Sequence, residues 1–265
     1  MLTVSELYIY PLKSAQCLSL DEIIFTERGP LFDRDWMIVN KNNRFITQRQ
    51  HPKMCLINVE IENGALTLTA PSMASLSIKP ESSTQKISVT VWNDSVNALD
   101  CGEAAAQWVS DYLRLEQCRL VTMPKNTQRY VDKTYAKQNQ TVSFADGFPS
   151  LIISQASLDD FNEKLDSPIS MTNFRPNIVI SGCEPYAEDH WTQLRIDGIN
   201  FSLIKPCSRC VIPSINQETA EKQAEVLPAL NQHRRRDKAT YFGQNALHDK
   251  IGTIKVGSVV EVISR

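Results

Sequence analysis

The sequence predicts a mainly β fold with a few helices, an α+β chain, in two domains at residues 1–100 and 101–265. Two patterns carry this. Through the first hundred residues, short runs with apolar residues at alternate positions recur between turn-forming clusters, the period of half-buried strands. At Asp100 the period changes, and apolar residues then recur at helical spacing between further short extended runs. With 265 residues, 42% of them hydrophobic, the chain has enough apolar material for a real core.

Val4, Leu7 and Ile9 alternate with polar neighbours up to Pro11, which lacks an N–H for a strand ladder. Residues 18–25 form a second extended run. Residues 36–39 and 44–47 flank Asn40-Lys41-Asn42-Asn43, and residues 58–61 and 65–69 flank Glu62-Asn63-Gly64. Both read as hairpins, the second more strongly because Asn-Gly supplies positive φ cheaply. Residues 86–92 close the set, with Ile87, Val89 and Val91 alternating. Short antiparallel strands at this spacing predict a barrel or sandwich.

After Asp100, that residue and Glu103 form a capping-box pattern ahead of Ala105, Trp108, Val109, Tyr112 and Leu113 at helical spacing. A strand follows at 119–122, then a polar loop or linker at 125–141. Residues 151–154 read as a buried strand, 158–165 as a short helix and 177–180 as another strand. Residues 191–204 turn through Asp197-Gly198, 219–230 have weak helical character, and strands return at 253–263 through Val256-Gly257.

Composition narrows function. A formal net charge of -2 gives no sign of a nucleic-acid or anionic-membrane partner. No apolar run is long enough to span a bilayer, and the N-terminus lacks the basic-then-apolar pattern of a secretory signal. Seven cysteines, odd in number and irregular in spacing, fit a reducing cytoplasm better than a disulfide framework. Chemistry concentrates in Lys205-Pro206-Cys207-Ser208-Arg209-Cys210-Val211, where a strand end opens into a loop. A guanidinium beside a thiol favours the thiolate, a nucleophile and soft-metal ligand. A single C-x-x-C makes a poor zinc site, so ordinary buried thiols compete with that reading. Lys13-Ser14, Arg34 and the Arg175–Asn177 stretch place cations at strand ends, where they suit phosphate or serve as surface ion pairs.

Seven stretches run in one order from residue 10 to residue 257. They are Tyr10-Pro11-Leu12-Lys13-Ser14, Asp33-Arg34-Asp35-Trp36, Ser143-Phe144-Ala145-Asp146-Gly147, Phe174-Arg175-Pro176-Asn177-Ile178-Val179, the 205–210 motif, Phe242-Gly243-Gln244-Asn245, and Gly252-Thr253-Ile254-Lys255-Val256-Gly257. Taken together the chain resembles the MOSC superfamily, whose domain stands at the C-terminus of molybdenum cofactor sulfurase. It is most similar to the branch holding the mitochondrial amidoxime-reducing component and its bacterial relatives, which reduce N-hydroxylated compounds.

That resemblance implies an N-terminal β-barrel domain followed by a β-barrel-like MOSC domain that binds the molybdenum cofactor. It makes Cys210 the molybdenum ligand and catalytic centre, the metal's other ligands being the pterin dithiolene and oxo groups. It assigns Lys13, Ser14, Arg34, Arg175, Asn177, Ser208 and Arg209 to pterin and phosphate contacts, so Lys13, Arg34 and Arg175 should converge in space. Gly147 and Phe148 align with a cofactor-contacting turn where residue types differ, which implies backbone contact. Asn245 stands where the mitochondrial relatives carry tyrosine. Cys207 is either a thiol near the metal or small buried filler, and the other five cysteines are structural. His51 and His190 carry no metal spacing. Arg234-Arg235-Arg236 either docks an acidic partner or is a solvated face. No cysteine follows Cys210, so the implied electrons come from a separate redox protein, ferredoxin- or flavodoxin-like. The implied activity is a molybdenum-dependent reductase of small N-hydroxylated substrates such as hydroxylamines, amidoximes and N-hydroxylated bases. A cofactor or sulfur carrier without turnover is the alternative.

Overall fold

A computed structural model describes residues 1–79, 85–136 and 140–265. The chain opens with β1 (Thr3–Ile9), β2 (Leu18–Ser19), β3 (Glu22–Thr26), β4 (Gly29–Pro30) and β5 (Trp36–Val39). The run expected at 18–25 is thus two strands. Residues 44–47 are not the strand expected: Phe45 and Arg44 make isolated bridges to Val39 and Thr90, and the chain then departs. The reason is local. Gln48 is fully buried and donates from Nε2 to the carbonyl of Ser14 at 2.8 Å, which pulls residues 47–49 toward the end of β1 rather than along β5.

Next come β6 (Asn58–Glu62), β7 (Ala65–Thr69), β8 (Leu76–Ile78), β9 (Gln85–Val91) and β10 (Asp94–Asp100). Asn63 and Gly64 take φ of 50° and 78°, as the Asn-Gly turn requires. β10 is absent from the sequence-based expectation. Only Trp92-Asn93 separates it from β9, a turn pair without glycine. Helix α1 (Glu103–Leu113) follows, but not through a capping box. Its N-cap is Gly102 and accepts no side-chain bond. Asp100 instead accepts from the Gly102 N–H at 2.7 Å, while Arg119 bridges Asp100 and Glu103 at 2.6 and 2.7 Å.

The chain continues with β11 (Arg119–Thr122), β12 (Ser150–Ser154), α2 (Gln155–Asn162), β13 (Ile178–Ser181), β14 (Gln193–Ile196) and β15 (Ile199–Ser208). It ends with α3 (Val226–Arg234), β16 (Arg235–Arg236), β17 (Ala239–His248), β18 (Gly252–Lys255) and β19 (Val260–Ser264). Helix α2 starts earlier than expected because the Ser154 hydroxyl caps the Ser157 N–H. Helix α3 begins at Val226, inside the expected 219–230, and runs past it to Arg234. Of the loop expected at 125–141, residues 137–139 lie outside the described residues. The remainder holds neither helix nor strand, only a Tyr130–Thr141 bridge.

Among the described residues the largest sheet has nine strands, in the order β19-β14-β15-β17-β12-β13-β1-β2, with β16 also paired to β17. β12 and β13 are parallel, and α2 is the crossover that parallel pairing requires. The smaller sheets are β5-β11-β10-β9, β18-β3-β4 and β6-β7-β8. The sheets are open by their strand order rather than closed barrels. Two cores dominate. Helix α1 packs Ala105, Trp108, Val109 and Leu113 against Val59, Leu66, Leu68 and Ile78. Beneath the large sheet, Leu7, Phe25, Ile152, Ile178, Phe201 and Ile254 meet, so the first strands of the chain share a core with its last.

Gly243, in β17, shows how tight that sheet is. Its φ is 76°, and an added Cβ would lie 2.5 Å from Ile153 Cγ1 and 2.9 Å from the Ile152 carbonyl oxygen. Gly243→Ala should destabilise the protein by about 2–4 kcal/mol, combining left-handed strain with overpacking. Urea unfolding checks it, and an unchanged midpoint would contradict this packing.

Candidate functional site

The ends of several strands and loops converge on one cleft of about 790 Å³, a volume that includes space open to solvent. Lys13 and Ser14 follow β1, and Arg34 precedes β5. Gly147 and Phe148 precede β12, Arg175 and Asn177 precede β13, Ser208 ends β15, and Arg209 and Cys210 follow it. Asn245 comes from β17. All eleven of these sequence-proposed residues line the cleft, and Cys207 lines it too. Lys13, Arg34 and Arg175 therefore do converge.

The backbone is bent to achieve this. Ser14, Arg34 and Arg175 have φ of 70°, 52° and 59°, in the left-handed region that side chains other than glycine rarely adopt. Such strain persists only where surrounding contacts over-determine it, and it gathers at functional sites. Here those contacts are visible. Asp33, 2% exposed, accepts from the Tyr10 N–H at 2.9 Å, from Asn177 Nδ2 at 3.1 Å and from Arg34 Nη1 at 2.5 Å. Arg34 also donates to Asn177 Oδ1 and to the Arg175 carbonyl, both at 3.3 Å. Asn177, 1% exposed, commits its amide to these groups, to the Leu151 N–H and to the Tyr8 carbonyl, so it holds the wall in place from beneath. The buried ring of Tyr10 lies 4.4 Å from the Arg34 guanidinium and 4.1 Å from that of Arg175.

Two guanidiniums are only partly satisfied. Arg175 donates from Nη1 to the Ala15 carbonyl at 2.7 Å, but its buried Nη2 has no partner. Arg209 donates to Cys207 Sγ at 3.0 Å and to the Phe174 carbonyl at 2.7 Å, and its buried Nε has no partner. Burial works against the charge of Arg175 and pulls it below the usual arginine range. Unpaired buried donors of this kind are satisfied when an anion or acceptor enters.

Eight further cleft residues were not proposed from the sequence, among them Thr47, Arg49 and Asp146. Asp146 stood inside a quoted motif, but nothing marked Arg49. Asp146 accepts from Lys13 Nζ at 2.5 Å, from Arg49 Nη2 at 3.1 Å and from Trp92 Nε1 at 3.2 Å. Burial opposes its charge, but Lys13 and then Arg49 outweigh that and hold its carboxyl below the usual range. The side chain keeps 57% of its surface open, so solvent weakens the effect. Lys13 is 5% exposed, and burial pushes it down to about 8 although Asp146 opposes the shift. Arg129 clamps the loop below through the carbonyls of Ser143, Ala145 and Asp146.

Cys210 is the one exposed cysteine of the seven. Its Sγ accepts from Arg49 Nε and from the Ile212 N–H, both at 3.5 Å. Cys207 is half-buried against the Phe174 and Phe242 cluster. The Arg234–Arg236 run does not line the cleft. Arg234 is buried, bonded to Asp189 at 2.5 Å and stacked 3.8 Å from the Tyr186 ring, and Arg236 also pairs with Asp189. It is neither a free basic rim nor a wholly solvated face. Among the described residues, no three His, Cys, Asp or Glu gather as a metal site of their own.

A strand-built frame with a cation-lined cleft and one exposed thiol is the setting in which the family comparison falls. The model of the MOSC N-terminal beta barrel domain matches residues 1–116, and that of the MOSC domain matches residues 139–261. The chain belongs to the MOSC family. Its homologues are mitochondrial amidoxime-reducing components: component 1 of Mus musculus is 35% identical over 99% of this chain and 83% of the relative. Component 1 of Homo sapiens is 34% identical over the same shares, and component 2 of Bos taurus 34% identical over 97% and 82%. Among solved structures, the YuaD protein of Bacillus subtilis aligns over 98% of this chain and 94% of its own, with 12% identity and a TM-score of 0.47.

The cleft's charge is pH-sensitive through Lys13. Below about 8 its ammonium is protonated and attracts an anion; above that it is neutral. Sulfate keeps its own charge across this range. Its affinity should be level below pH 7 and fall as pH rises through about 8, whereas Lys13→Met should bind more weakly with a flatter profile. Titration calorimetry measures both, and identical profiles would remove Lys13 from the anion site.

Proposed function

We propose that this protein binds the molybdenum cofactor in the cleft and reduces small N-hydroxylated compounds with electrons from a separate redox protein. The observation that carries this is the exposed Cys210 thiol sharing one cleft with Arg175 and Arg209, two half-satisfied guanidiniums, and with Lys13 and Arg34. A phosphate-bearing pterin that brings its own dithiolene needs this set: one soft ligand and several donors for oxygen. The residues therefore fit the group. The pairing of one exposed thiol with an acceptor-poor, cation-rich wall distinguishes it from a zinc site, which takes four protein ligands, or three and a water.

Cys210 would hold the metal. Arg175 and Arg209 would give their unpartnered N–H groups to pterin or phosphate oxygens, and Lys13 would supply charge. Ser208 is exposed at the cleft and offers a hydroxyl. Backbone contact comes from Gly147 and Phe148, where no atom lies within 4 Å of the position a Gly147 Cβ would take. Arg34 and Asn177 fix the wall through Asp33. Asn245 donates from Nδ2 to the Lys205 carbonyl at 3.2 Å, so it steadies β15 beside the motif. When bound, the cofactor supplies two-electron redox chemistry and an acceptor for the oxygen of the N–O bond. Overall, R–NHOH, two electrons and two protons give R–NH2 and water.

Cys210→Ser should lower turnover of benzamidoxime with a reduced dye by more than about 100-fold, beyond what loss of an outer-shell group costs. Cys207→Ser should stay within about tenfold, since Cys207 is half-buried and its Sγ accepts from Arg209. The readout is initial rate on protein from a cofactor-competent host. Wild-type rates in Cys210→Ser would overturn the metal assignment, and cofactor bound without turnover under any donor would make the protein a carrier.

A further inference from the structure

Of the four tryptophans, three are buried: Trp36 and Trp108 are 7% exposed and Trp191 is 5%. Trp92 is 42% exposed. It occupies the first position of the two-residue loop between β9 and β10, with φ of 55°. Compact hairpin turns place glycine or asparagine at such positions, because a Cβ is strained there. A bulky indole at that position sacrifices stability, and nothing in the turn itself repays it.

What surrounds the indole points to the cleft. Its Nε1 donates to Asp146 Oδ1 at 3.2 Å, the Arg49 guanidinium lies 4.8 Å from its ring centre, and Phe45 packs at 5.1 Å with planes 57° apart. Arg49 in turn reaches Cys210 Sγ at 3.5 Å. One guanidinium touches both groups, so the ring centre lies within about 10 Å of the sulfur. The indole is therefore a fixed, half-exposed aromatic surface within that distance of the exposed thiol, outside the lining of the cleft itself and tied to it through Asp146 and Arg49, which do line it.

We infer that Trp92 is the platform on which the flat organic body of a ring-bearing substrate stacks. This rests on the reading of the cleft as an N-hydroxy reductase site. Stacking on an indole takes any flat ring regardless of its hydrogen-bonding pattern, so selectivity is for the ring and not for one compound. Hydroxylamine, which has no ring, gains nothing from it.

Two measurements test this. The first is the ratio of kcat/KM for benzamidoxime to that for hydroxylamine, with a dye donor. Trp92→Leu should lower the ratio about 3- to 10-fold, chiefly through KM for benzamidoxime, and Trp92→Phe should restore most of it. The second needs no turnover. Because Trp92 is the one exposed tryptophan, benzamidoxime should quench the intrinsic fluorescence saturably, hydroxylamine should not, and the quench should vanish in Trp92→Phe. An unchanged ratio in Trp92→Leu, or a quench that survives in Trp92→Phe, would overturn the inference. So would a loss seen only with a protein donor and equal for both substrates, which would make Trp92 a partner contact. If no N-hydroxy compound is turned over at all, the parent reading fails, and the fluorescence titration alone decides whether Trp92 binds rings.

Discussion

Positive charge must be held half-buried in this cleft without being cancelled. Lys13, Arg34, Arg49, Arg175 and Arg209 line it, and the carboxylates bonded to them are Asp33 and Asp146. Burying a cation costs several kcal/mol unless something compensates. The compensation here is divided. Asp33 is nearly inaccessible and fixes Arg34 together with Asn177, while Tyr10 lends its ring to two guanidiniums. Arg175 and Arg209 keep a buried N–H each without a partner. This surplus of donors over acceptors suits an anionic group better than a metal alone.

That arrangement explains the interlacing of the fold. Lys13 sits after the first strand and Cys210 after β15, yet β1 and β15 belong to one sheet through β13, β12 and β17. The cleft lies where these strand ends meet the β5 sheet. Its walls therefore come from both halves of the chain, and the two halves share a core through Phe25 and Ile254, which lie on the paired strands β3 and β18. Left-handed backbone at Ser14, Arg34 and Arg175 is affordable only because this scaffold is continuous beneath it.

Much of this was legible in the sequence because it was local. Alternating apolar residues marked β1, β6, β7 and β9, and Asn-Gly and Asp-Gly fixed two hairpins. The motif residues identified the cleft because their order along the chain carries the family resemblance. What escaped depends on distant contacts. β10 follows a Trp-Asn turn that lacks glycine and puts a bulky residue first, and residues 44–47 leave their hairpin because Gln48 is drawn to Ser14. The capping box at Asp100 gave way to Arg119, a residue sixteen beyond Glu103. Arg49 and Trp92 matter only because folding brings them to Cys210 and Asp146, which no spacing within their own segments reveals.

On the proposed reading, the Cys210 thiol and a set of cations, two of them half-satisfied guanidiniums, hold a molybdenum cofactor. The most direct test of that reading is the metal and pterin content of the purified chain from a cofactor-competent host, by mass spectrometry and by fluorescence of the oxidised pterin. The account predicts molybdenum and pterin in equal amounts, approaching one of each per chain. Protein that leaves such a host folded and carrying neither would contradict it.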